Sequence, residues 1–184
     1  RWPRARRTST LRMVSRVAVY IGQASCDENG KYVGGQAGNW SGTELNTRAF
    51  YNKLGFGPIR FKNGATAVKC ATAMQTAVGN MKIGYDQGER NTILSLAKAT
   101  GWDLGAIREA CGCDCFSIAG VCGIAASGGA IYSTIYSGGN LCYAGNIVSR
   151  FKTTGLVDAY DSSYAASSGS LQNGDILASS SPRL

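Results

Sequence analysis

No histidine occurs anywhere in these 184 residues. That absence removes the usual side chain for proton transfer near neutral pH and the commonest metal-binding nitrogen. Acids are missing from the first 16 residues, where Arg1, Arg4, Arg6, Arg7, Arg12 and Arg16 carry six of the nineteen basic groups. Outside that stretch thirteen basic residues face eleven acidic ones. The formal charge of +8 is therefore the property of one end, and the nearly neutral body argues against a nucleic-acid partner. No apolar run approaches the roughly 18 residues that cross a membrane. The short core Val17–Ile21 falls below the about 7–15 apolar residues of a secretion signal. No internal repeat is present. Residues 1–16 thus read as a basic leader outside the fold, and 17–178 as one domain.

Cysteine and glycine are plentiful instead, at 7 and 25 residues. Seven is odd, so a monomer keeps at least one free thiol. The run Cys111-Gly112-Cys113-Asp114-Cys115 contains no paired C-x-x-C knuckles. With only Cys and carboxylate ligands left, it does not read as a zinc site, and no metal or cofactor is expected. C-x-C geometry strains a disulfide, so Cys111 and Cys113 are expected to be structural or free. The pattern turns helical after Cys115, which places that thiol at a helix N-terminus. There, unpaired N–H groups and the macrodipole favour a thiolate. The competing reading is a small buried hydrophobe.

Along the chain, Val17–Ile21 reads as a strand and 26–42 as a long glycine-rich loop. Residues 44–61 read as a strand or an irregular aromatic segment turning at Lys62-Asn63-Gly64. Ala67, Ala71, Met74, Val78 and Met81 recur at helical spacing and predict a helix over 65–81. Ile83-Gly84-Tyr85 breaks it. Asp86 and Glu89 form a D-x-x-E box that predicts a second helix to Gly101. Asp103 caps a short third helix, 104–110, and a small-residue helix runs to Ala126. Residues 128–141 are Tyr-, Ser- and Gly-rich. A helix is expected over 146–153, an extended piece from Gly155, and a turn feeding a strand at 171–177, with Asp175 belonging to the turn. Helices in the middle with strands after them suggest an α+β fold.

The order of several blocks adds to this. They are Asp27-Glu28-Asn29-Gly30; Gly34-Gly35-Gln36-Ala37-Gly38-Asn39-Trp40-Ser41-Gly42-Thr43-Glu44; Arg48-Ala49-Phe50-Tyr51-Asn52; Ile83-Gly84-Tyr85-Asp86-Gln87-Gly88-Glu89-Arg90-Asn91-Thr92; Cys113-Asp114-Cys115; and Gly174-Asp175-Ile176-Leu177. Over roughly 20–178 the chain resembles peptidoglycan hydrolases of the NlpC-type, papain-like cysteine peptidase/amidase superfamily, in the form found in phage endolysins. The resemblance implies central helices packed on a small antiparallel sheet. It also implies action at the bacterial cell wall on an amide of the peptidoglycan stem peptide. Cys115 would be the catalytic nucleophile, passing through a thioester. Tyr85, Asp86, Arg90 and Trp40 are the candidate substrate-binding residues. Each has an alternative: Tyr85 a packed aromatic, Asp86 an N-cap, Arg90 a solvated helical arginine, Trp40 a cover for its loop.

Two departures from the family pattern stand out. Phe116 follows the nucleophile where relatives usually carry Ser. The family's histidine, which follows the Gly-Asp-Ile-Leu strand, has no counterpart, because residues 179–184 diverge into Ser179-Ser180-Ser181-Pro182-Arg183-Leu184. A chain with its C-terminal strands truncated or replaced is the preferred explanation. A degenerate wall-binding pseudoenzyme or phage interaction protein is the alternative, and a base supplied by another residue or chain is the third. The bond cut, the disulfide state and the oligomer are not legible in the sequence.

Overall fold

Helix α3, Cys115–Ala126, sits at the centre and is apolar on every face, with Ile118, Val121, Cys122, Ile124 and Ala126 all buried. A helix without a polar stripe has to be enclosed by other elements. Gly123 makes one of those enclosures possible. A Cβ there would lie 2.6 Å from the Phe151 ring, so only glycine lets that ring lie against the helix.

The enclosing elements are described by a computed structural model covering residues 18–179. The 1–16 leader and all of the 179–184 tail except Ser179 lie outside the described residues. In chain order the elements are β1 (Tyr20–Ala24), β2 (Leu45–Ala49), β3 (Gly57–Phe61), α1 (Gly64–Val78), β4 (Ile83–Tyr85), α2 (Thr92–Ala99), β5 (Cys111–Cys113), then α3. They continue with α4 (Tyr132–Ile135), α5 (Ile147–Thr153), β6 (Val157–Ala159) and β7 (Ile176–Ala178). Short 3₁₀ turns occupy Leu104–Ala106 and Ser168–Ser170. The fold is α+β. Strands β1 and β2 form one antiparallel pair, and β6-β3-β7 a three-stranded antiparallel sheet. The pair β4-β5 is parallel, with Ile83 opposite Cys111 and Tyr85 opposite Cys113. A parallel pair needs a crossover, which α2 supplies.

Several expectations change here. Ile83-Gly84-Tyr85 is a strand rather than a helix break. Asp86 does not open a helix. Its side chain accepts the Glu89 N–H at 3.1 Å, but its own N–H still pairs with the Cys113 carbonyl, and its backbone bridges Gly35. Strand pairing therefore holds Asp86 extended, and α2 begins at Thr92 after Asn91. Helix α1 ends at Val78, which leaves Met81 exposed and gives the buried face to Ala67, Cys70 and Ala77. The third helix is one 3₁₀ turn, capped by Asp103 as expected.

Helices α1 and α3 pack side by side. The C-terminal loop is fastened by a buried ion pair. From the central strand β3, Arg60 donates to both carboxylate oxygens of Asp175 at 2.8 and 2.6 Å. It also donates to the Ser170 carbonyl at 2.9 Å and the Tyr164 hydroxyl at 3.2 Å, and lies against the Tyr160 and Tyr164 rings. Asp175 does belong to a turn, accepting the Gln172 N–H at 2.9 Å, but it is also this clamp. Removing one partner strands the other charge, so Asp175→Ala is expected to cost about 3–5 kcal/mol in urea unfolding. The paired replacement Arg60→Met with Asp175→Leu is expected to cost clearly less in the same measurement.

Candidate active site

Between β5 and α3 the backbone of Asp114 is extended, with φ −116° and ψ −179°. Its carboxylate accepts the N–H groups of Phe116 at 3.1 Å and Ser117 at 2.7 Å, while the Ser117 hydroxyl accepts the Asp114 N–H at 2.7 Å. This reciprocal capping box fixes where the helix starts. Cys115 is its first residue and the only exposed cysteine of the seven. Cys26 is half-buried, the other five are buried, and none forms a disulfide. Cys111 and Cys113 are thus free and structural, pointing into the core.

A second group holds the cap. Arg90 donates from Nε to Asp114 Oδ2 at 2.6 Å and from Nη2 to Oδ1 at 3.1 Å. It donates further to the carbonyls of Leu141, at 3.3 Å, and Cys142. The pair is largely dry, with side-chain exposures of 14% for Arg90 and 9% for Asp114. Because Asp114 occupies the N–H groups at the helix start, the dipole is answered by a carboxylate before the thiol can use it. Solvent reaches Cys115, yet enough protein surrounds its sulfur for burial to be the largest influence. Burial and the Asp114 charge push the thiol up to about 11, against the backbone N–H groups of Phe116 and Cys115 and the Arg90 charge. The thiolate expected from helix position alone is therefore not the resting state. At pH 7 about one thiol in ten thousand is ionised.

Tyr85 lies beside this centre. Its phenol is buried, donates to the Tyr32 carbonyl at 2.7 Å, and is held protonated by burial and by the Cys115 and Asp114 charges. Arg90 is also close enough to act on the thiol, but most of its N–H groups are taken by Asp114 and the two carbonyls. Asp86 is buried behind the strand pair and caps the turn to Glu89. Trp40 is 68% exposed, its indole N–H donating to Ala37 at 2.9 Å. Beside it, Gly38 and Asn39 join the opening end of β4-β5 at Cys111 and Met81, while Gly34 and Gly35 of the same loop join the closing end that Cys115 follows.

Glu44, not singled out from sequence, organises that loop. Fully buried, it accepts the N–H groups of Trp40 at 2.6 Å, Ser41 at 3.1 Å and Tyr85 at 2.9 Å. Gly35 completes the junction at φ 100°, where a Cβ would lie 2.1 Å from the Tyr85 carbonyl oxygen. Phe116 is half-buried against the core, and Ser117 supplies the cap hydroxyl.

A hollow of about 350 Å³ lies elsewhere, lined by Ser133, Thr134, Ser137, Ser149, Arg150 and Thr153. It contains neither an ionisable nucleophile nor a carboxylate, so the chemistry points to Cys115 in preference to the hollow. Among the described residues no group of three or more Cys, Asp or Glu side chains gathers to hold a metal, and no helix is long and apolar enough to cross a membrane. The arrangement can present a nucleophilic sulfur with backbone N–H groups beside it. With no histidine in the sequence, the usual acceptor of a thiol proton is missing.

Alkylation of Cys115, read by peptide mass spectrometry, is expected to rise about tenfold per pH unit from pH 7 and to level off near pH 11. Asp114→Asn removes a neighbouring negative charge and keeps a capping oxygen. Its alkylation at pH 8 is expected to be about tenfold faster, since one unit of pKa is a factor of ten. The same variant leaves Arg90 without its counter-ion and is expected to lose about 3 kcal/mol in urea unfolding.

Three comparisons bear on this geometry. The family model described as endolysin-like domain matches residues 21–182. No curated protein matches. No solved structure matches. With nearly the whole described chain inside the matched range, this chain belongs to the endolysin-like domain family.

Proposed function

We propose that the chain derives from a cell-wall amidase or endopeptidase of the NlpC-type, papain-like lineage, with Cys115 as its nucleophile. One observation carries the proposal. In a member of the endolysin-like domain family, the single exposed thiol among seven heads a buried, carboxylate-capped helix. The substrate class would be the peptidoglycan stem peptide, met at the bacterial wall. The thiolate would attack an amide carbonyl, forming a C–S bond as the carbonyl oxygen takes up negative charge. The C–N bond then breaks, the amine leaves with a proton, and water hydrolyses the thioester to a carboxylate and the thiol. The Cys115 N–H, the one at the start of α3 that Asp114 does not take, would face the oxyanion.

Two proton transfers in that sequence lack their usual agent, a histidine. With the thiol near 11 and no histidine, neither deprotonation of sulfur nor protonation of the leaving amine has an evident donor or acceptor. On this reading the 184 residues by themselves form an impaired hydrolase. That same pair of observations favours a second reading, a wall-binding protein that keeps the fold without cutting.

Purified cell walls separate the two. The chain, its Cys115→Ser variant and a version extended by a histidine-bearing strand are incubated with walls, and turbidity and sedimentation are followed. Clearing by the extended version alone, lost on Cys115→Ser, is the expected result. Co-sedimentation without clearing by any of them would establish the binding protein. Absence of both binding and clearing would end the wall assignment.

A further inference from the structure

We propose that Arg150, on α5, is a positioning residue for Cys115 that acts through the loop joining α4 to α5. Its guanidinium is half-buried and has no carboxylate partner among the described residues. It is turned on backbone carbonyls instead: Nη1 donates to Ile135 at 2.6 Å and Asn140 at 2.8 Å, and Nη2 to Ser137 at 3.2 Å. The Ser137 and Asn140 carbonyls belong to one tight turn, closed by the reciprocal Ser137–Asn140 backbone pair, and Ile135 ends α4 just before it.

The far end of the same loop is where the candidate site is held. Asn91 clasps it, donating from Nδ2 to Asn140 Oδ1 at 3.0 Å and accepting the Leu141 N–H at 3.0 Å. The Leu141 and Cys142 carbonyls receive Arg90, and the Cys142 thiol donates to the Phe116 carbonyl at 3.3 Å. Arg90 in turn grips the Asp114 cap that starts α3 at Cys115. Arg150 therefore fixes one end of a short loop whose other end fixes Arg90, and through it the carboxylate beside the thiol. Both arginines also face Cys142, whose thiol burial pushes up to about 12 while the two cations oppose the shift.

Three carbonyls around one planar head require the arginine fork, and a lysine ammonium on its flexible stem does not reproduce it. The role is thus one of geometry, and charge alone does not restore it. When the loop loosens, Arg90 loses its carbonyl partners and Asp114 loses part of its compensation. The thiol then ionises less readily.

The test is site-resolved alkylation at pH 8 on the full chain, comparing wild type, R90M, R150M, R150K and the R90M/R150M double variant. Labelling of buried Cys70 is followed in parallel as a measure of global opening. R150M is expected to slow Cys115 about three- to tenfold, a shift of half to one pKa unit, with Cys70 unchanged. R150K is expected to match R150M, and the double variant to match R90M, because both changes act along one path. A Cys115 rate within about twofold of wild type in R150M overturns the proposal, as do full rescue by R150K and effects that multiply in the double variant. Acceleration of Cys70 together with Cys115 would mean loosening of the whole fold and would also overturn it. If R150M does not fold, R150K decides the matter alone by the same criteria. Labelling needs no cell wall, so its outcome and that of the wall assay are independent.

Discussion

Asp114 does two jobs with one carboxylate, and the rest of the centre is arranged around that double duty. It terminates a strand and begins a helix by accepting two N–H groups, and it anchors an arginine from the crossover preceding its strand. Either role alone is common. Together they place a negative charge directly beside the one exposed thiol; burial first and that charge second leave the thiol high at a position that ordinarily lowers it. The architecture is rigid where the backbone matters and unfavourable where the sulfur must ionise.

That rigidity comes from burial of α3 and from the parallel pair beneath it. Strand β5 leads into the buried Asp114 and delivers Cys115 to the surface, and β4 places Tyr85 next to them in register. The loop 35–44 is then held against β4 by Glu44 and Gly35, so the surroundings of the thiol are assembled from segments far apart in the chain. Few of their polar groups remain free: Tyr85 is bonded to Tyr32, and Arg90 to Asp114 and two carbonyls. The centre reads as well braced and sparsely equipped with titratable groups that could move a proton.

What the sequence revealed follows the range of the interactions involved. The helix start at Cys115 was legible because the small apolar run that follows it is contiguous in the chain, whereas the Asp114 cap was not singled out. The D-x-x-E box at Asp86 looked equally local and misled, because Cys113 and Gly35 pair with its backbone from elsewhere in the chain. Strand β4 is three residues long, too short for an alternating pattern to show. Helix α4, at four residues inside a Tyr-, Ser- and Gly-rich stretch, left no periodic trace. Glu44 and Arg60 were invisible as buried charges, since hydropathy patterns mark them as surface and their partners lie 41 and 115 residues away. Trp40 was singled out by residue type, and only the chain's path shows its loop joining both ends of the strand pair.

The central strand of the three-stranded sheet has a consequence for how this chain is made. Both neighbours of β3 are contributed from residues 157–178, so its edges remain unpaired until well over half of the sequence has left the ribosome. Closing such distant contacts carries a large loop entropy and slows folding. During that interval Gly57–Phe61, buried along its whole length once folded, would be an open, apolar strand edge. Synthesis is therefore the stage at which this fold is most exposed to association with other nascent chains.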